Sequence, residues 1–222
     1  MFSSILVSEI STATNVLIEN KLFLIIYRYL HRLVIQKQSV SKLVVCLTGM
    51  PGAGKSTIVS KLKEQGYETF NLGDGVRDEA KRQNLEPSGE NLGKIMLELR
   101  QINGPGAVAE LLKDSIQKSS HEIIIIDGVR SIHEINVLKQ TGIVKLLAVK
   151  ASSETRFNFL SERKRSDDPL TREKFEERDN REIGVGLEEI IELSDESIEN
   201  NNVTIEQMVD SAIKIFQKWV EK

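Results

Sequence analysis

Gly49-Met50-Pro51-Gly52-Ala53-Gly54-Lys55-Ser56 gathers three glycines, a lysine and a hydroxyl at GxxxxGKS spacing. Glycines let backbone close around phosphate oxygens, a lysine at this place reaches β- and γ-phosphates, and the serine hydroxyl is a magnesium ligand. Thr57 follows and supports the helix. Such chemistry needs a strand before the loop and a helix after it, so that backbone N–H groups and the positive helix end converge on one point. Leu43 to Leu47 reads as a buried strand and Ile58 to Lys63 as helix, which meets both conditions. The expected occupant is a nucleoside triphosphate, taken as ATP, with Mg2+.

Three further sets of residues could act beside that loop. Asp127 ends a run of four isoleucines, so its carboxylate is expected at the carboxyl edge of the sheet, holding the metal opposite Ser56 as a Walker B acid. Asp74 and Arg77 follow the second strand, three residues apart on one helical face. Arg77 could grip an acceptor phosphate and Asp74 could serve as a base; equally, Asp74 could cap a helix and Arg77 be solvated. Arg163, Lys164, Arg165, Arg178 and Arg181 form the densest basic cluster, around Ser166-Asp-Asp-Pro169. A hairpin there, with Asp168 and Pro169 opening its second helix, would make a lid over residues 163–182, closing cations over the transferring phosphates. Glu173, Glu176, Glu177 and Glu182 could pair part of that charge.

The elements that must position these residues are legible as alternating strands and helices from Ser41 onward, the pattern of a parallel sheet covered by helices. Strands are predicted at Leu43 to Thr48, Thr69 to Leu72, Glu122 to Ile126 with Asp127 at its end, Ile143 to Val149 and Glu196 to Glu199. Between the second and third, Leu92, Ile95, Met96 and Leu99 mark one helix, and Val108, Leu111, Leu112 and Ile116 another, with Gly104-Pro-Gly106 as the break. Residues 73–120 thus form a helical insertion suited to an acceptor. The last helix opens on Thr204 and Gln207 at capping-box spacing and is predicted to bury Ile205, Val209, Ala212, Ile213, Phe216 and Val220.

Composition narrows the partners. A chain of 222 residues, 40% hydrophobic, supports one substantial domain, and a net charge of −3 gives no footprint for bulk nucleic-acid binding. Cys46, the single cysteine, lies within the first strand and excludes an internal disulfide, while His31, His121 and His133 lack metal-ligand spacing. A cytoplasmic protein is expected. The apolar run Leu22 to Tyr27 is too short to span a bilayer, so no membrane partner is expected. Residues 1–40 read as a dispensable extension or start-site artefact, with the working domain spanning 41–222.

The phosphate loop, Gly73-Asp74-Gly-Val-Arg77, Asp127-Gly-Val-Arg130 and Arg165-Ser-Asp-Asp168 resemble the corresponding motifs of adenylate kinase and its relatives, most closely archaeal adenylate-kinase-related proteins. The resemblance covers Ser41 to the C-terminus. It implies an α/β three-layer P-loop NTPase of nucleotide-kinase type, with a helical acceptor insertion and a short lid. It places Asp74, Arg77 and Arg130 at the acceptor and Arg163, Arg165 and Arg178 in the lid. Glu134 stands where adenylate kinases carry a glutamine that reads the acceptor adenine, so the resemblance implies a base-reading role for Glu134, with guanine or cytosine preferred to adenine. Ser56 replaces the glycine of adenylate kinases, as in dephospho-coenzyme A kinase. The expected activity is transfer of the γ-phosphoryl of ATP to a small acceptor, a nucleoside monophosphate. A hydroxyl-acceptor kinase and an ATP-driven switch or assembly factor are the alternatives.

Overall fold

Five parallel strands carry the site. They are β1 (Leu43–Thr48), β2 (Glu68–Asn71), β3 (Ile123–Asp127), β4 (Ile143–Lys150) and β5 (Glu196–Glu199), in the order β2-β3-β1-β4-β5. The structure, a computed structural model, describes residues 42–163, 165 and 168–221. The expectations for residues 1–40 lie outside that range, as do Lys164, Ser166 and Asp167 of the lid segment.

Strand side chains alternate between two cores. Val44, Cys46, Ile124 and Ile126 face one, while Val45, Leu47, Ile125 and Leu147 face the other. Burial on both faces is why these strands read as unbroken apolar runs, and it requires helices on each side. The first core is closed by α2 (Leu72–Arg82), α3 (Gly89–Asn103), α4 (Ala107–Lys118), α5 (Ile132–Leu138) and α8 (Leu187–Glu192). The second is closed by α1 (Lys55–Glu64) and α9 (Ile205–Val220), the latter held by the predicted capping box of Thr204 and Gln207. Two further helices, α6 (Ser153–Arg163) and α7 (Arg172–Gly184), carry Arg163, Arg178 and Arg181 of the segment 163–182 expected to form a lid.

The expected fold is observed, with local corrections. Leu72 begins α2 rather than ending β2, because the Asn71 side chain caps the helix by accepting from Gly73 N–H at 2.7 Å. The lid's second helix opens at Arg172, not at Pro169. Thr171 is its cap, and Asp168 spends its carboxylate elsewhere. In α9 the buried face is Met208, Val209, Ala212, Phe216 and Trp219, so Ile205 and Val220 are exposed. Among the described residues, no helix is long and apolar enough to cross a membrane.

Candidate active site

The sheet order decides what meets the phosphate loop. Because β1 is central, elements following β2 and β3 lie to one side of its loop and those following β4 and β5 to the other. Ligands of open α/β sheets sit outside the carboxyl ends of the strands. Here a crevice of about 450 Å³ occupies that position. Gly49, Pro51, Gly52, Gly54, Lys55, Ser56 and Thr57 line it; Arg77 and Arg130 enter from the β2–β3 side and Arg163 and Arg165 from the other.

Backbone shape accounts for two of the loop glycines. Gly49 has φ +137°, and a Cβ there would stand 2.1 Å from the Val149 carbonyl oxygen. Gly52 has φ +84°, and its Cβ would stand 2.6 Å from the Arg156 carbonyl oxygen. The loop is pressed against β4 and α6, so its curvature is set before any ligand arrives. Asn200, buried just after β5, donates to the Ala53 carbonyl at 3.0 Å and clamps the far side. Unlike α2, α3, α5, α7 and α9, helix α1 starts without a side-chain cap, which leaves its N-terminal turn for an anion.

Lys55 Nζ donates to the carbonyl oxygens of Gly49 and Met50 at 2.5 and 3.1 Å. Burial pulls its pKa down from 10.5 to about 8, against the opposing pull of the Asp127 carboxylate. Ser56 Oγ donates to Asp127 Oδ2 at 3.2 Å, and Asn71 Nδ2 donates to the same oxygen at 3.0 Å. Asp127 is only 3% exposed, and among the described residues its Oδ1 has no hydrogen-bond partner. A buried carboxylate oxygen without a donor, beside a serine hydroxyl, is an oxygen-rich place suited to a hard cation such as Mg2+. Ser56 and Asp127 are therefore brought together as expected. Burial pushes the Cys46 thiol far above its usual range, which leaves it an inert core residue.

The acceptor-side residues divide. Arg77 and Arg130 line the crevice. Arg130 Nε lies 2.8 Å from Glu182 Oε2 as an ion pair. Asp74 does not line it: it pairs with Arg77 at 2.8 Å, and its side chain is 67% exposed. Glu134 is not brought to the crevice either. It is fully buried, its Oε1 2.6 Å from Arg100 Nη2 and its Oε2 accepting the backbone N–H of Arg130 at 2.7 Å. A carboxylate so occupied has no face for a nucleobase, and the expected preference for guanine or cytosine falls with it.

The lid cations are organised by Asp168, buried between them. Its carboxylate accepts from Arg163 Nε at 3.0 Å and from Arg163 Nη2, takes the Arg165 N–H at 2.8 Å, and lies 3.7 Å from Arg178 Nη1. Arg156 was not singled out by the sequence reading. It grips Asp179 through two hydrogen bonds of 2.9 and 2.6 Å and donates to the Pro51 carbonyl at 3.2 Å, tying α6 and α7 to the phosphate loop. Neither Arg156 nor Asn71 and Asn200 belongs to a spacing motif. Asn71 gave the stronger sequence signal, an amide at a strand end directly before a glycine-rich helix start.

A family model described as an AAA domain matches residues 48–176. A UPF0200 protein of Hyperthermus butylicus is 37% identical over 177 residues, spanning 80% of this chain and 95% of that one. Another, from Methanococcus vannielii, is 39% identical over 71% of this chain and 86% of its own. Among solved structures, TT1252 from Thermus thermophilus aligns with a TM-score of 0.57 at 18% identity, covering 80% of this chain and 97% of that one. Shikimate kinase from Bacteroides thetaiotaomicron aligns with a TM-score of 0.50 at 17% identity over 81% and 99%. These neighbours share the fold, that of the P-loop kinases. With its phosphate loop inside the matched region, the chain belongs to this AAA-domain family and to the UPF0200 proteins.

Proposed function

We propose that the protein is a P-loop kinase that transfers the γ-phosphoryl of ATP to a small phosphate-bearing acceptor, a nucleoside monophosphate. The observation that carries this reading is the crevice shared by the phosphate loop and Arg77 and Arg130. Lys55 and the uncapped start of α1 suit the β- and γ-phosphates, and the arginines on the β2–β3 side suit a second anion. Ser56 and Asp127 would hold Mg2+, which would offset the negative charge of the phosphates. Arg163, Arg165 and Arg178, gathered by Asp168, would supply cations for the oxygens in transfer.

A phosphate acceptor is already ionised and needs no general base. The exposure of Asp74, the base expected for a hydroxyl acceptor, therefore supports the phosphate reading. The test is a screen of nucleoside monophosphates and phosphorylated or hydroxylated metabolites for acceptor-dependent ADP release. Release stimulated by a monophosphate is the expected result. ATP hydrolysis indifferent to every small acceptor would instead identify an ATP-driven switch on the same fold.

A further inference from the structure

Asn71 closes β2 opposite Asp127, the two being paired in register where β2 runs beside β3. Its side-chain oxygen accepts the Gly73 N–H at 2.7 Å. A backbone N–H can only donate, so the oxygen must face α2 and the amide nitrogen must face the other way. On that other side lies Asp127 Oδ2, at 3.0 Å.

With Ser56 Oγ at 3.2 Å, Oδ2 thus has two donors, while buried Oδ1 has none among the described residues. The carboxylate is held by one oxygen in one rotation, and its other lone pairs are left for a cation or its bound water. A short aspartate side chain in a parallel strand would otherwise rotate about its terminal bond, where the torsional preference is broad. The amide also ties that carboxylate to the first turn of α2, the helix that carries Arg77.

We infer that Asn71 is a positioning residue: its amide orients the metal-binding carboxylate of Asp127 and couples it to the acceptor-side helix. This rests on the proposed kinase reading for its biological meaning, though not for its test. Partners that orient a metal ligand through a hydrogen bond typically influence metal affinity or activity by about 10- to 100-fold.

Two substitutions separate orientation from capping. In Asn71→Asp an oxygen still accepts from Gly73, so the cap survives, but the donor to Asp127 becomes a second carboxylate. In Asn71→Ala both interactions go. Binding of Mn2+ in the presence of a non-hydrolysable ATP analogue, followed by electron paramagnetic resonance, reads the metal site directly; thermal unfolding, with and without Mn2+, reads the cap. Asn71→Ala should weaken Mn2+ about ten-fold and lower Tm. Asn71→Asp should lower the Tm of the metal-free protein through repulsion between the two carboxylates, tighten Mn2+ through the added charge so that Mn2+ restores the Tm, and lose turnover about ten-fold or more at nearly unchanged KM for ATP. Opposite shifts in metal affinity at a retained fold are not expected of a residue that only caps a helix. Mn2+ affinity equal in all three proteins would overturn the inference, as would activity losses that simply track the folded fraction. If the wild type phosphorylates no small acceptor, the kinase reading fails while the Mn2+ comparison still decides the role of Asn71.

Discussion

Lys55 Nζ sits 2.5 Å from the carbonyl oxygen of Gly49, folded back onto the loop it serves. The ammonium is buried and its pKa lies near 8, so this charge is held against its desolvation by carbonyl oxygens and the nearby Asp127 carboxylate. A triphosphate would supply stronger partners. Lys55→Ala should therefore abolish phosphoryl transfer and weaken ATP binding by an order of magnitude or more, about 1.4 kcal/mol for each factor of ten, while the fold persists. Isothermal titration with ATP and circular dichroism check both halves.

The same lysine gives a pH dependence with two opposite signs. Its folded pKa lies below its unfolded value, so between about pH 8 and 10.5 the unfolded chain holds more protons and stability of the ligand-free protein rises with pH. Nucleotide affinity should fall over the same range, because the charge that meets the phosphates is lost. The difference between wild type and Lys55→Met, in denaturation and in ATP titration from pH 7 to 10, isolates this contribution. Parallel curves for the two proteins would remove it.

Asp127→Asn keeps the shape of the side chain and removes its charge beside Ser56. Turnover should drop at least 100-fold at ordinary Mg2+, with the half-saturating Mg2+ concentration raised. An unchanged Mg2+ dependence would take Asp127 out of the metal site.

On the acceptor side, Arg77→Ala and Arg130→Ala should raise the acceptor KM about ten-fold or more and leave the KM for ATP within about two-fold, since each enters the crevice from the β2–β3 side. Asp74→Asn should alter turnover by no more than about two- to three-fold, because its exposed carboxylate makes only a surface ion pair. A collapse of about 100-fold in Asp74→Asn would restore the general base and the hydroxyl acceptor.

Glu134 and Arg100 form a buried pair that also holds the Arg130 backbone. Removing one partner leaves an uncompensated charge, so Glu134→Ala should cost about 3 to 5 kcal/mol. For a domain of this size that is a fall in Tm of roughly 10 °C. Relative activity among nucleoside monophosphates should stay the same in Glu134→Gln, as measured by competing acceptors in one assay.

The sequence alone determined the loop, the strand-end position of Asp127 and the five strands, because each is a contiguous pattern whose geometry is local. A glycine-rich turn between an apolar strand and a helix, or a strand ending in an acid, carries its own backbone instructions. Tertiary structure decided the fates of Glu134, Asp74 and Asp168. The resemblance suited Glu134 to reading a base, and spacing suited Asp74 to a general base and Asp168 to a helix cap, but burial against Arg100, exposure on α2 and a cluster of arginines assigned them other work. Only the sheet order could bring Asn71 beside Asp127 across 56 residues, or Asn200 onto Ala53 across 147. A side chain's partner depends on which strands are neighbours and in what register, and that is set by burying both sheet faces at once rather than by any local run of residues.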